Sequence, residues 1–188
     1  MTVERGAGSH VALLRGINVG GKNKLPMKDL AAMFTEAGCD DVRTYIQSGN
    51  VLFRARPALA RRVPELVTRA IADRAGLRVP VVTRTAAELA KVVSANPLLR
   101  AGADHAKLHV AFLAKQPAAG RVAGLDPDRS PPDEFVVRGR EIYLHCPGGV
   151  ARTKLTNDYF DSRLATTSTV RNWNTVLKLL ELSRLPPG

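Results

Sequence analysis

Between His10 and Thr83 the apolar residues switch repeatedly between a period of two and a period of 3.6, and that alternation constrains the fold more than any other feature. His10 to Ile17 is a near-continuous apolar run that reads as a buried strand. Met27, Leu30, Ala31 and Phe34 then recur at helical spacing, with Pro26 suited to the first turn and Gly38 to the stop. Val42–Gln47 and Val51–Ala55 are β-rich runs joined by Ser48-Gly49-Asn50, a hairpin signal. Leu59, Val63, Leu66, Val67, Ala70 and Ile71 form a second helical stripe ended by Gly76, with Pro64 predicting a kink or a true start near Val63. Leu77–Thr83 supplies a fourth strand. The order βαββαβ predicts a ferredoxin-like unit over 10–84: one antiparallel sheet with both helices on one face. Both faces of the first strand look buried, so the rest of the chain is expected to pack against the open face.

The remainder, 85–188, reads as a second α/β subdomain. Thr85-Ala86-Ala87-Glu88 is a capping-box pattern leading into a helix that ends near Asn96-Pro97. Lys107–Ala114 is a strand, and Phe135–Arg138 with Glu141–Cys146 is a hairpin turning on Gly139-Arg140 in a type II′ turn. A short helix near Arg121–Gly124 interrupts the connection, and helices Leu155–Leu164 and Trp173–Leu182 close the chain. This half echoes the first as strand, connection, hairpin and helix, without a residue-level repeat. Residues 1–9 read as a ragged lead-in without a signal peptide, and Pro186-Pro187-Gly188 as a frayed end.

The stretch Gly16-Ile17-Asn18-Val19-Gly20-Gly21-Lys22-Asn23 fits G-x-x-x-x-G-K after a strand and before a helix. Three features oppose a P-loop. Asn23 stands where a Ser or Thr would hold magnesium, the helix begins near Pro26 and not at the Lys, and an antiparallel sheet is the wrong scaffold. A Gly-rich backbone cradle for some anion is the alternative, against a tight turn with solvent-facing lysines. Right-handed crossovers make the first two strands parallel, so the 18–24 loop and the 47–50 turn emerge at one sheet edge. The candidate ligand-binding residues are therefore Asn18, Gly20, Gly21, Lys22, Asn23, Gln47, Ser48 and Asn50. Arg171 and Asn172, at the start of the last helix beside a core Trp173, are expected to approach them. The competing reading is that these amides satisfy one another's backbone groups and that Asn172 is only a helix cap.

Leu13–Asn23, Thr44–Val51, Lys154–Asn157 with Phe160, and Arg171–Val176 together resemble the signatures of the bacterial family called domain of unknown function 1697. Val170 departs from the pattern, which has a small polar residue before the Arg. The resemblance implies a two-part α/β fold with a ferredoxin-like half, and it assigns no catalytic residue.

Composition narrows the function classes. The net charge of +11 arises mainly in residues 1–100, which carry sixteen Lys/Arg against eight Asp/Glu. Such a field concentrates anions, although twenty Arg against eight Lys also suits a coding bias. Cys39 and Cys146 are expected as reduced thiols in a cytoplasmic protein, with no disulfide. His105 and His109 lack a third metal ligand nearby, and Asp158 and Asp161 look like surface ion pairs with Arg152, Lys154 and Arg163. No cofactor, metal or membrane contact is expected. The leading reading is a binding protein for a phosphorylated metabolite, nucleotide or RNA. The alternatives are a small enzyme using Lys22 or Arg171 and amide donors to stabilise an anionic intermediate, or a structural or protein-interaction role.

Overall fold

The computed structural model describes residues 7–100 and 102–186. Two compact units divide the chain: one holds residues up to 90 together with those from 179 onward, the other Lys91–Lys178.

In the first unit the elements are β1 (Gly8–Leu14), α1 (Met27–Glu36), β2 (Asp40–Tyr45), β3 (Asn50–Ala55), α2 (Pro57–Ala60), α3 (Val63–Ala75) and β4 (Val81–Thr85). The sheet order β2-β3-β1-β4 is fully antiparallel, so β1 and β2 both oppose β3 and run parallel to each other. This is the expected ferredoxin-like arrangement. β1 opens at Gly8, two residues earlier than its apolar run suggests, because Gly8 and Ser9 pair with Ala55 and Arg54. The rest of the expected ragged lead-in, residues 1–6, lies outside the described residues, as do Pro187 and Gly188 of the expected frayed end.

Local chemistry accounts for the boundaries. The chain leaves α1 through a pair of bonds, Gly38 N–H to Thr35 O (2.9 Å) and Cys39 N–H to Phe34 O (3.1 Å), with Gly38 at φ 96°. Pro64 sits in the first turn of α3, where its missing N–H costs nothing, and α2 is a separate turn before it. Gly76 ends α3 in the left-handed region. Ala12, Leu14, Val51 and Phe53 of the sheet meet Leu30, Phe34, Val67 and Ile71 of the helices in one core. Each large side chain buried there contributes about 1.5–3 kcal/mol. Val11, Leu13, Leu52 and Val82, on the other face, are also buried.

α4 (Ala86–Ser94) carries the chain from the first unit into the second. Its capping box forms as expected: Thr85 N–H donates to Glu88 Oε2 (2.8 Å) and Glu88 N–H to Thr85 Oγ1 (3.0 Å). The second unit follows with β5 (Leu108–Leu113), α5 (Ala119–Ala123), β6 (Glu134–Arg138), β7 (Glu141–His145), α6 (Asn157–Leu164), β8 (Ser168–Asn172) and the start of α7 (Trp173–Ser183). Its sheet order, β6-β7-β5-β8, repeats that of the first unit strand for strand.

Two sequence expectations change here. β8 is a strand where none was expected, hidden by the polar run Thr166-Thr167-Ser168-Thr169. Those β-branched threonines suit a pleated surface, and Thr169 and Ser168 are buried in it. The echo between halves also reaches the residues. His10-Val11-Ala12-Leu13-Leu14 in β1 matches His109-Val110-Ala111-Phe112-Leu113 in β5 at four of five places. The bonds around them match as well. Leu14 N–H and Leu113 N–H each donate at 2.8 Å to the hairpin turn, at Gly49 O and Arg140 O. Arg15 N–H and Ala114 N–H each reach the residue before the fourth strand, Pro80 O and Thr167 O. A buried Arg stands opposite the matched Val in each sheet, Arg84 facing Val11 and Arg171 facing Val110. Four matches within five residues, flanked by loops of unequal length, are too short to stand out as a repeat before the strands are aligned.

Asp161 is the third correction. It has a structural task that the surface reading missed: its Oδ1 accepts from Ser168 N–H (2.8 Å) and Ser168 Oγ (2.6 Å), tying α6 to the start of β8. Cys39 and Cys146 are free and buried, and burial pushes each thiol up to about 11, so neither carries nucleophilic thiolate near neutrality. Among the described residues no helix is long and apolar enough to cross a membrane.

Candidate functional site

The loop after β1 is built as a clamped finger. Leu14 N–H bonds to Gly49 O, which lays the end of β1 against the β2–β3 turn. Gly16 turns the chain at φ 74°, and Ile17 folds under to complete burial. Asn18 follows in the left-handed region, at φ 54°, where Asn is among the few side chains tolerated. Its amide makes three bonds at once: Oδ1 accepts from Leu25 N–H (2.8 Å), and Nδ2 donates to Leu25 O (2.8 Å) and Gln47 O (3.0 Å). One side chain thus closes the loop on itself and ties it to the neighbouring turn.

Beyond Asn18 the chain makes a tight reversal. Lys22 N–H bonds to Val19 O (3.0 Å), with Gly20 (φ 57°) and Gly21 (φ 75°) as the two central residues. Two consecutive left-handed residues need Gly, and around both positions nothing lies within 4 Å of where a Cβ would be. The finger closes below through Asn18 N–H to Asn23 O (3.1 Å) and Asn23 Nδ2 to Gly16 O (2.8 Å). The Asn18 and Lys22 backbone N–H groups are therefore spent inside the loop, which forms a tight turn around Gly20 and Gly21. Asn23 braces the loop with its side chain. Lys22, Lys24 and Lys28 are exposed, and residues 15–28 contain four basic side chains and no acidic one.

The facing turn differs from its expected form. β2 stops at Tyr45, paired with Asn50, so the connection is the four residues Ile46–Gly49. Ile46 and Gln47, expected to end a strand, lie in the turn instead. Ile46 takes φ 49°, a conformation that β-branched residues rarely adopt, and is half exposed. No local signal reveals this, since Ile is a strong strand former; only the parity of the hairpin register does. Asn50 is fully buried and donates to Tyr45 O (3.2 Å) and Ser48 Oγ (3.1 Å), bracing the turn from inside.

Asn18, Gly20, Gly21, Lys22, Asn23, Gln47, Ser48 and Asn50 thus share one sheet edge of the first unit, with Asn18 and Gln47 in direct contact. Arg171 and Asn172 belong to the second unit and end β8, so the last helix begins after them. Arg171 is buried; Nη1 donates to Thr169 Oγ1 (2.8 Å) and Val170 O (2.9 Å), and burial holds its pKa down to about 10. Asn172 caps α7, accepting from Asn174 N–H (3.0 Å), and donates to Ala106 O (3.2 Å). Beside the end of β5 the second unit carries an open cleft of about 290 Å³ lined by Lys115, Asp161, Thr166 and Thr167. Val19, Lys24 and Ile46 join the candidate edge without having been singled out in the sequence; for Lys24 the acid-free basic run was the available signal.

No curated protein matches the chain. The conserved bacterial protein SP0830 from Streptococcus pneumoniae is similar in structure, with a TM-score of 0.73 at 22% sequence identity over 95% of this chain and 99% of that one. At that identity the likeness is one of fold. A family model described as protein of unknown function (DUF1697) matches residues 8–143, which include the finger and its facing turn but not the 154–157 and 171–176 signatures. With most of its length matched, the chain belongs to this family of proteins of unknown function, DUF1697.

Proposed function

We propose that this protein binds an anionic ligand, a phosphorylated metabolite, nucleotide or RNA, at the edge formed by the 18–24 loop and the 47–50 turn. The observation that supports this most directly is the finger: an acid-free run with three exposed lysines, held rigid by the Asn18 bonds so that little ordering remains for binding to supply. The basic excess of the chain adds a long-range field that draws anions in. In this reading the protein works in the cytoplasm, in keeping with two unpaired thiols.

Ligand-induced thermal shifts at low salt over nucleotides, sugar phosphates and short RNAs test the proposal. Lys22→Ala should weaken binding by about 1.5–3 kcal/mol, the range for a hydrogen bond to a charged group, and leave the melting temperature nearly unchanged. Raising salt should weaken binding in the same direction. Lost stability with unchanged affinity would instead make Lys22 part of the bracing of the loop.

A further inference from the structure

We propose that the anion bound at this edge is a nucleotide, free or within a single RNA strand, with its phosphate on the lysines and its base against Val19 and Ile46. This rests on the edge being the binding site. Two of the five exposed large hydrophobic side chains among the described residues sit here, Val19 at 61% exposure and Ile46 at 50%. Neither position needs an apolar residue for folding. Val19 opens a surface turn, and Ile46 occupies a left-handed conformation that Asn or Gly adopts with far less strain. A β-branched side chain kept in a strained turn, half in water, is an outlier that packing does not explain.

The two flank the bonded pair Asn18–Gln47, one residue away on each side. Even along a straight path through that bond their Cα atoms lie no more than roughly 17 Å apart. Both exposed apolar side chains thus flank the loop that carries Lys22 and Lys24. Sugar phosphates and inorganic phosphate offer nothing to the apolar pair, whereas a nucleotide carries a flat apolar face beside its phosphate. Two side chains are also too small an apolar surface to hold a bilayer.

The test compares inorganic phosphate, ribose 5-phosphate, AMP and a short adenylate RNA as probes, titrated calorimetrically into the full chain at low salt. AMP or the RNA should bind at least about tenfold more tightly than ribose 5-phosphate, as burying part of a base implies. Ile46→Asn, which suits the turn, and Val19→Ser should together remove that preference and leave ribose 5-phosphate affinity unchanged. Ile46→Asn should melt at or above the parent temperature, which separates lost contact from lost fold. Preference for the RNA over AMP would identify the strand as the source, and comparable affinity the free nucleotide; either supports the inference. Equal affinity for AMP and ribose 5-phosphate, or a preference that survives the double variant, overturns it while leaving anion binding intact. Binding to phosphatidylserine–phosphatidylcholine vesicles without nucleotide binding overturns it as well. If no probe binds, both the inference and the anion-binding proposal fall.

Discussion

Gly49→Ala should destabilise the first unit by about 2–5 kcal/mol, the sum of a left-handed backbone penalty and an overpacked contact. Gly49 sits at φ 78°, and a Cβ there would lie 2.8 Å from Leu14 Cβ and 3.0 Å from Ile17 Cδ1. Leu14 Cβ is attached directly to a strand that is bonded on both sides, so it cannot give way as a flexible side-chain end could. Moving the turn outward would stretch the Leu14 N–H bond to Gly49 O. Gly20→Ala is the control: it is also left-handed but has open space around it, so only the backbone penalty of about 1–2 kcal/mol applies. Denaturant unfolding of the two variants decides the matter, and equal losses would show that the close approach at Gly49 carries no weight.

Asn18→Ala should cost about 2–4 kcal/mol, since it removes three hydrogen bonds and places Ala in the left-handed region. Leu25, only 3% exposed, would be left with an N–H and a carbonyl that lose their partners. Asn18→Gly keeps the backbone free and loses the same bonds, so the difference between the two variants isolates the bonds from the conformation. Both should also weaken ligand binding, because the finger would no longer be tied to Gln47. Unfolding midpoints matching that of Lys24→Ala, a change at an exposed side chain, would refute this account.

The first unit was legible because its apolar period changes cleanly and Gly38, Gly49 and Gly76 punctuate it, so βαββαβ followed with its parallel first and second strands. The second was half legible. β8 hid behind hydroxyl side chains, and without it the sheet order could not be closed, nor the kinship of β1 and β5 noticed. At the candidate edge, topology placed the two loops together correctly, but the physical content lies in side-chain bonds that sequence does not display. Asn18 looked like one polar residue among several, and the structure makes it the clamp. Of the two readings of the Gly-rich stretch, cradle or tight turn, the tight reversal is seen, with the Asn18 and Lys22 N–H groups closing on local carbonyls. Asp161 misled for a related reason: its partner, Ser168, sits on the strand that had not been foreseen.

The matched histidines of β1 and β5 have a thermodynamic consequence of their own. His10 stacks on Phe53 at 5.2 Å, and burial holds its pKa below the usual 6.5 despite the Gly8 carbonyl and nearby Glu88. Burial holds His109 down in the same direction against the carbonyl of Lys107. Well above pH 6.5 both rings are neutral whether the chain is folded or not, and they leave stability untouched. Below that value the unfolded chain protonates these two rings more fully than the folded one does, so stability falls as pH falls, with a ceiling of about 2.7 kcal/mol per pH unit for two rings. The loss continues until the pH passes through the lowered folded values, and most carboxylates do not join it until below about pH 5. Unfolding near pH 6 should therefore be accompanied by net proton uptake at these two rings, of at most about 1.5 per chain, shared between the two copies of the repeated strand.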